Sequence, residues 1–219
     1  MVEILNETEA RVIGSLVEKQ LTTPEYYPLT LNALVNACNQ KSNRDPIVNY
    51  DEQTVTATIE RLRDRNLVYV FYGSTSRVPK YKHMLPSVYE LEPPEVAVMC
   101  VMLLRGPQTL NELKTRTERL FGFEGLMQVQ ETLDNLTRRD EPLVQKLERQ
   151  PGQKEARYVH LLSGPIDLES YAAAAAASSR SYGGADNSRI EKLEQEVERL
   201  STELASFRET FDEFRKQFE

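Results

Sequence analysis

Basic residues are concentrated in one short stretch of the chain, between positions 61 and 82. Six arginines and lysines lie there against a single acid, Asp64, and they are interleaved with tyrosine and phenylalanine. Such side chains bind nucleic-acid phosphates without reading the base sequence, so the stretch favours a nucleic-acid partner. Two more cations lie in a polar loop between 39 and 49. The candidate nucleic-acid-binding residues are Lys41, Arg44, Arg61, Arg63, Arg77, Lys80 and Lys82.

Contacts of about five of these side chains with phosphates predict a log–log salt slope near −4 to −5. The start of the helix predicted before the cluster argues against this interpretation, because Asp51 and Glu52 would repel phosphates there. The neutral Gln53, Thr56 and Ala57 could face bases, but they are equally ordinary on a solvated helix. The alternative is that the basic residues are solvated or paired, and that the surface binds protein instead.

The polar loop between Asn39 and Pro46 has both a structural and a functional interpretation. Asparagine and Asp-Pro sequences stabilise turns by bonding to their own backbone, so we interpret Asn39, Asn43 and Pro46 as structural. We interpret Lys41 and Arg44 as contact residues.

The sequence carries few residue patterns that would indicate an enzyme active site. The two histidines, His83 and His160, lie in different predicted hairpins, and no cluster with metal-ligand spacing is present. Phosphate-binding glycine loops, nucleophile elbows and dinucleotide fingerprints are also lacking. We therefore expect no enzyme activity, no cofactor and no metal. Cys38 and Cys100 are predicted to be small buried hydrophobic residues.

The elements that position these side chains occur twice in the chain. Residues in the second copy lie 86 positions after their counterparts at the start of the repeat, 79 positions after them in its centre and 74 positions after them at its end. The elements therefore match, while the loops between them are shorter in the second copy. The central match is Pro28, Thr30, Leu31, Asn32 and Leu34 with Pro107, Thr109, Leu110, Asn111 and Leu113.

Apolar spacing and capping residues predict three helices and a two-stranded hairpin in each copy, which is the order of a winged helix. In the first copy the helices are expected over 7–20, 30–39 and 51–65, and the strands over 67–72 and 78–84. In the second they are expected over 94–105, 110–120 and 126–138, and over 143–149 and 156–162.

The C-terminal region differs in composition. Residues 165–187 are rich in alanine, serine and glycine and are predicted to be a flexible linker. Apolar residues then alternate in steps of three and four, which predicts a coiled coil over 188–219 and a homodimer. The expected dimerisation residues are Ile190, Leu193, Val197, Leu200, Leu204, Phe207, Phe211 and Phe214. Packing of this helix on its own modules is the alternative.

The charge is also unevenly distributed. Of the net −7, residues 165–219 contribute −5, with 7 basic against 12 acidic side chains, so each repeat is nearly neutral. The longest apolar run, 96–104, is too short to span a bilayer, and the acidic start does not resemble an export signal. We expect a cytoplasmic protein with no membrane partner.

Several loop motifs resemble the YceH-like family of uncharacterised bacterial proteins. The most specific runs from Ala37 to Pro46, and others include Glu9–Gly14, Thr22–Glu25, Leu103–Gly106 and Glu155–Tyr158. The resemblance covers nearly the whole chain. It implies a tandem pair of winged helices followed by a linker and a short coiled coil, and it implies no particular activity.

Together these observations predict an α+β, mainly helical fold. The expected domains are a first winged helix (1–90), a second winged helix (91–164), the linker (165–187) and the coiled-coil helix (188–219). The expected function is DNA binding or a transcription-associated role through the first wing and the basic loop. The alternative is a protein–protein adaptor that does not bind nucleic acid.

Overall fold

The computed structural model describes residues 4–72, 78–149 and 153–166, together with Arg199. Apart from Arg199, these residues belong to one compact unit. We refer to residues 4–90 as module one and to residues 91–166 as module two. Most of the predicted linker, all of the predicted dimerisation residues and Arg77 lie outside the described residues.

Module one consists of helices followed by a hairpin. Its helices are α1 (Glu7–Thr22), α2 (Leu31–Cys38), α3 (Glu52–Asp64) and α4 (Leu85–Tyr89), with a 3-10 helix at Pro24–Tyr26. Its strands are β1 (Leu29–Thr30), β2 (Val68–Tyr72) and β3 (Pro79–His83).

Among the described residues, module two repeats this order without counterparts of α4 and of the 3-10 helix. Its helices are α5 (Pro93–Arg105), α6 (Leu110–Thr117) and α7 (Leu126–Thr137). Its strands are β4 (Gln108–Thr109), β5 (Val144–Leu147) and β6 (Arg157–His160). The predicted helices and hairpin strands are thus confirmed to within a few residues. The fold combines helices with small antiparallel sheets.

Each module closes its helices with a three-stranded antiparallel sheet, and the third strand lies in the middle of each. The strand orders are β1-β3-β2 and β4-β6-β5. In module one Val68 pairs with His83, and in module two Val144 pairs with His160. The two-residue strands β1 and β4 were not predicted, because each is only the short segment that enters a helix.

Local capping explains where the helices begin. Asn6 and Glu9 form a reciprocal capping box at α1, with backbone-to-side-chain distances of 3.0 and 2.9 Å. Thr30 caps α2, and Thr109 caps α6 in a box with Glu112. These caps bond backbone N–H groups that have no partner within the helix, so the helix starts are encoded locally.

The core is formed where α1 packs against α5. All residues from Glu9 to Glu18 and from Glu95 to Leu104 are buried. Gly14 permits the close approach, because a Cβ there would lie 2.8 Å from Leu104 Cδ2. The Cys100 thiol donates to the Gly14 carbonyl oxygen across 3.5 Å. Cys38 and Cys100 are buried free thiols, as predicted.

An ion pair ties the first helix of each module to the end of its third helix. Glu9 accepts from Arg65 at 3.0 Å in module one, and Glu95 accepts from Arg139 at 2.8 Å in module two. These four residues occupy matching positions in the repeat, so the pair belongs to the framework of the fold.

Candidate nucleic-acid interface

The hairpin of module one brings aromatic and cationic side chains together on one side of its sheet. In the strand register, Tyr69 lies opposite Lys82 and Phe71 lies opposite Lys80. Because side chains alternate between the two sides of a strand, all four project to the same side. We call these four residues the aromatic–lysine face. The other side carries Val68, Tyr81 and His83, which are buried.

The aromatic–lysine face is open to solvent. Tyr69 is 60% exposed and Phe71 is 46% exposed, while Lys82 is exposed and Lys80 is half-buried. Neither lysine forms a salt bridge with any residue that the structure describes. Exposed aromatic side chains that lie together are a feature of interaction surfaces. The unpaired lysines give that site a positive charge.

Arg63 adds a further positive charge beside the sheet. It lies on the exposed side of α3, close enough to the Tyr81 hydroxyl to influence its ionisation. Burial and the neighbouring Tyr72 raise the pKa of Tyr81, whereas Arg63 lowers it. Tyr72 itself is 68% exposed at the end of β2. Arg63 and Tyr72 therefore lie near Tyr81, on the side of the sheet opposite the aromatic–lysine face.

Arg61 is committed to the framework. Its Nε donates to the Glu9 carboxylate at 3.0 Å, and its Nη2 donates to the Thr58 hydroxyl oxygen at 3.1 Å. The side chain is half-exposed. Since Arg61 shares the Glu9 carboxylate with Arg65, it contributes less attraction for phosphate than Lys80 or Lys82 does.

The start of α3 is acidic, as the sequence indicated. Asp51 caps the helix by accepting the Thr54 N–H at 2.8 Å. Hydrogen bonding from the Thr54 side chain, followed by that from its backbone N–H, lowers the pKa of Asp51. Glu52 and Gln53 are exposed in the first turn. The cap occupies the end of the helix where a phosphate would otherwise bind. The cationic surface of module one therefore lies on the hairpin and the far end of α3.

Arg44 has a structural role and does not offer the surface contact expected from the sequence. Its side chain is fully buried and donates to Glu18 at 2.7 Å and to the Ala37 carbonyl oxygen at 2.8 Å. A cation enclosed in this way is not accessible to a phosphate, so we leave it out of the interface. Lys41, three residues earlier, is exposed on the same loop.

The rest of the loop is held by hydrogen bonds, in agreement with its structural interpretation. The Asn39 side chain donates to the Tyr50 carbonyl oxygen and accepts the Tyr50 N–H, both at 2.7 Å. Asn43 accepts from Arg105 of module two at 3.2 Å. The loop thus joins the two modules.

The aromatic residues of the face could have been assigned to it from the sequence. They alternate with buried residues along β2, and the lysines alternate with buried residues along β3. This period of two was sufficient to separate the two sides of the hairpin. The burial of Arg44 had no comparable signal, because its partner Glu18 lies on a different helix.

Module two has no equivalent of the aromatic–lysine face. The matching positions are Gln145, Leu147, Arg157 and Val159, of which Leu147 and Val159 are buried. Arg157 pairs with Glu112 at 2.8 Å. The second sheet is therefore part of the core on the side where the first sheet is exposed.

The two histidines lie at matching positions of the repeat and are buried. Burial lowers the pKa of His83 to about 4, with a smaller effect from Lys82, and burial alone lowers the pKa of His160 to about 4. Both are neutral at neutral pH. Across the described ranges, no group of three or more histidine, cysteine or acidic residues is arranged to hold a metal ion. None of the described helices is long and apolar enough to cross a membrane.

Comparison with known proteins places the chain among bacterial relatives. The family model described as "Protein of unknown function, DUF480" matches residues 5–153. A UPF0502 protein of Pelobacter propionicus is 51% identical over 218 residues, covering 99% of both chains. One of Geotalea uraniireducens is 48% identical over 216 residues, covering 98% of both. One of Opitutus terrae is 57% identical over 168 residues, covering 76% of this chain and 73% of the relative. These matches confirm the resemblance indicated by the loop motifs.

Proposed function

Because the chain belongs to the DUF480 family, whose description names no activity, we propose its role from its surface: it is a tandem winged-helix protein whose first module binds duplex DNA. The repeated order of helix, short strand, two helices and hairpin supports the winged-helix assignment. In such folds the hairpin acts as a wing that contacts the DNA backbone or minor groove. The proposed role is binding rather than catalysis.

The observation that carries this proposal is the aromatic–lysine face. Lys80 and Lys82 alternate with buried residues on β3, and each lies beside an exposed ring of β2. Lysines provide attraction to phosphates, and exposed rings pack against the sugars of the backbone. Since module one is nearly neutral overall, this attraction is local to the wing.

The distribution of charge also predicts the mode of binding. The acidic start of α3 weakens base reading from that helix, whereas the wing offers mainly backbone contacts. We therefore expect modest sequence preference. If Lys80 and Lys82 each meet one phosphate, the log–log salt slope is about −2.

The test measures binding of the full-length chain to a fluorescent duplex by anisotropy at several salt concentrations. Replacing Lys80 and Lys82 together with alanine should weaken binding about tenfold or more at ~0.1 M salt and reduce the slope by about 2. The matched control is Lys154→Ala, which removes one exposed cation from module two. Absence of wild-type binding at low salt, or an equal loss in the control, contradicts the proposal.

A second candidate function is a protein–protein adaptor. Its support is the start of α7, where Leu126 and Met127 are exposed and Met127 reaches 79% exposure. The matching residues of module one are Glu52 and Gln53. If the chain does not bind duplex DNA at low salt, Met127→Glu should reduce capture of a partner while the double lysine variant should not.

We further propose that residues 188–219 form a coiled-coil homodimer, which would double the number of wings per particle. The support is the sequence alternation of apolar residues described above. Sedimentation of a chain shortened after Gly164 tests it. The number of chains per particle should fall from two to one, and an unchanged number contradicts the proposal.

A further inference from the structure

A cavity of about 340 Å³ lies between the two modules, on a different part of the unit from the wing. Module one contributes α1 and the end of the polar loop to its wall, through Arg11, Asp45 and Tyr50. Module two contributes α5, β6 and the segment after it, through Met102, His160 and Ser163. Cavities of this size at the junction of two modules are common sites for small ligands.

Arg11 is a buried cation in this wall, and its charge is incompletely compensated. It is 4% exposed, and its guanidinium donates to two carbonyl oxygens, those of Cys38 at 3.2 Å and Pro46 at 2.6 Å. A guanidinium has five N–H groups, so three have no partner among the described residues. None of the described carboxylates lies within salt-bridge distance of it. This differs from Arg44, which is equally buried but is paired with Glu18.

The electrostatic surroundings of Arg11 also disfavour its positive charge. Burial and the nearby Arg44 lower the pKa of Arg11, and these effects exceed the opposing influences of Tyr50, Cys38 and Asp45. An anion bound beside Arg11 would offset the cost of burying its charge. The repeat supports a role outside the framework, because the matching residue in module two is Ala97.

His160 is a second residue with a polar side chain in the wall. Its Nδ1 is shielded from solvent and has no hydrogen-bond partner among the described residues. The matching residue in module one, His83, uses its own Nδ1 to accept the Leu85 N–H at 3.3 Å. The Tyr50 side chain lines the same space.

The remaining walls restrict the kind of anion that fits. Ala10, Met102, Leu103 and Val159 form an apolar floor. Glu7 and Asp45 are exposed and contribute negative charge to the cavity walls. An apolar floor requires a hydrocarbon body, and the two acids disfavour a second negative charge on the ligand.

We propose that this cavity binds a small organic molecule with one carboxylate and an apolar body. The carboxylate pairs with the free N–H groups of Arg11, whose planar fork matches a carboxylate in two hydrogen bonds. The apolar body lies against Met102 and Val159. Because the ligand contacts both modules, its binding stabilises their junction.

The experiment uses the full-length chain labelled with ¹³C at its methionine methyl groups. Met102 lines the cavity, whereas Met127 is exposed on α7 and serves as the internal control. The probe is 3-phenylpropanoate, added to about 10 mM because a ligand of this size is expected to bind with a Kd of ~1 mM. A saturable shift of the Met102 signal, with no shift of Met127, is expected.

Two related probes test the chemistry on the same carbon skeleton. Benzylmalonate adds a second carboxylate, and phenethylamine replaces the carboxylate by an amine. Both should bind at least tenfold more weakly than 3-phenylpropanoate. Equal binding of phenethylamine would show an apolar pocket without anion recognition, and equal shifts with inorganic phosphate would show a general anion site. Either result overturns the proposal.

Variants test the location of the site. Arg11→Lys keeps the charge but loses the planar fork, and should weaken binding of 3-phenylpropanoate about tenfold. Since Arg11 also holds the loop, a second variant is needed: Ser163→Trp, at an exposed position in the wall, should block binding. Ser42→Trp, also exposed but away from the cavity, should titrate like the wild type. If Met102 does not respond to 3-phenylpropanoate, or if Ser163→Trp binds normally, the proposal is wrong.

Discussion

In both modules the same ion pair joins the first helix to the end of the third. Only module one has a second, buried ion pair that begins at its first helix. Glu9–Arg65 and Glu95–Arg139 are matching pairs at 3.0 and 2.8 Å. The additional pair is Glu18–Arg44 at 2.7 Å, and the residue of module two that matches Glu18 is Leu104. The comparison separates residues that both modules share from residues that occur in only one of them.

The acquired features of module one lie in its loop and on its hairpin. The loop carries Arg44 into the core, next to Arg11 of α1. The hairpin exposes Tyr69 and Phe71, where module two buries Leu147 at the position matching Phe71. The two modules thus share one framework and differ in their surfaces.

The largest expected effect comes from giving module one the residue of module two. Glu18→Leu leaves Arg44 buried without its carboxylate, so the free energy of unfolding should fall by about 3–5 kcal/mol. Urea denaturation measures the loss. The double variant Glu18→Leu with Arg44→Met should recover most of it. Asp134→Ala, which breaks the exposed pair with Arg138, should cost less than about 1 kcal/mol. A double variant as unstable as the single one contradicts this account.

The matching histidines predict the same acid sensitivity in both modules. The unfolded chain protonates each imidazole below pH 6.5, whereas the folded chain does so only near a pKa of about 4. Acidification between these values therefore favours the unfolded state. For each histidine, the free energy of unfolding of the protein should fall by roughly 3 kcal/mol between pH 7 and pH 4. Chemical denaturation at several pH values measures the slope, and His83→Phe and His160→Phe should each reduce it. Unchanged slopes in both variants would falsify the shared role.

The close approach of α1 and α5 predicts an effect at one glycine. A methyl group at position 14 would lie 2.8 Å from Leu104 Cδ2 and 3.2 Å from Leu103 Cβ. Gly14→Ala should therefore cost about 1–3 kcal/mol, despite the higher helix propensity of alanine. Gly122→Ala is the control, because no atom lies within 4 Å of its added Cβ. Thermal denaturation compares the two, and equal midpoints would show that the helices can separate without cost.

The helix caps predict the smallest difference between the modules. Thr30 accepts the Ala33 N–H at 3.4 Å, whereas Thr109 accepts the Glu112 N–H at 3.2 Å and Glu112 bonds back at 2.9 Å. Thr109→Ala should cost about 1 kcal/mol and Thr30→Ala about half as much. Urea denaturation resolves the difference. A larger cost at Thr30 would show that the reciprocal bond adds nothing.

Local patterns predicted most of the framework. The helices were evident because their apolar spacing and capping residues coincide, as at Asn6 and Glu9 of α1. The helix α4 was missed because it spans only five residues directly after a strand, with Pro86 in its first turn. The two-residue strands gave no periodic signal.

The candidate sites were only partly predictable, for a physical reason. The wing residues follow each other along two paired strands, so their common side could be read from alternation. Arg44 forms its ion pair with Glu18, 26 positions away, and Arg11 donates to residues 27 and 35 positions away. Nothing in the neighbouring sequence distinguishes such a buried arginine from a solvated one. The inter-module cavity likewise arises only when distant segments pack.

The contact between Gly14 and Cys100 joins residues that match each other in the repeat. Gly14 also approaches Leu104, whose own counterpart is Glu18, so the two helices meet through the same face of each copy. Such an arrangement is that of a symmetric dimer covalently fused into one polypeptide. A single copy set free in solution would present an unsatisfied apolar stripe and would pair with another copy of itself. Duplication of one module followed by fusion of the two copies therefore accounts for this arrangement.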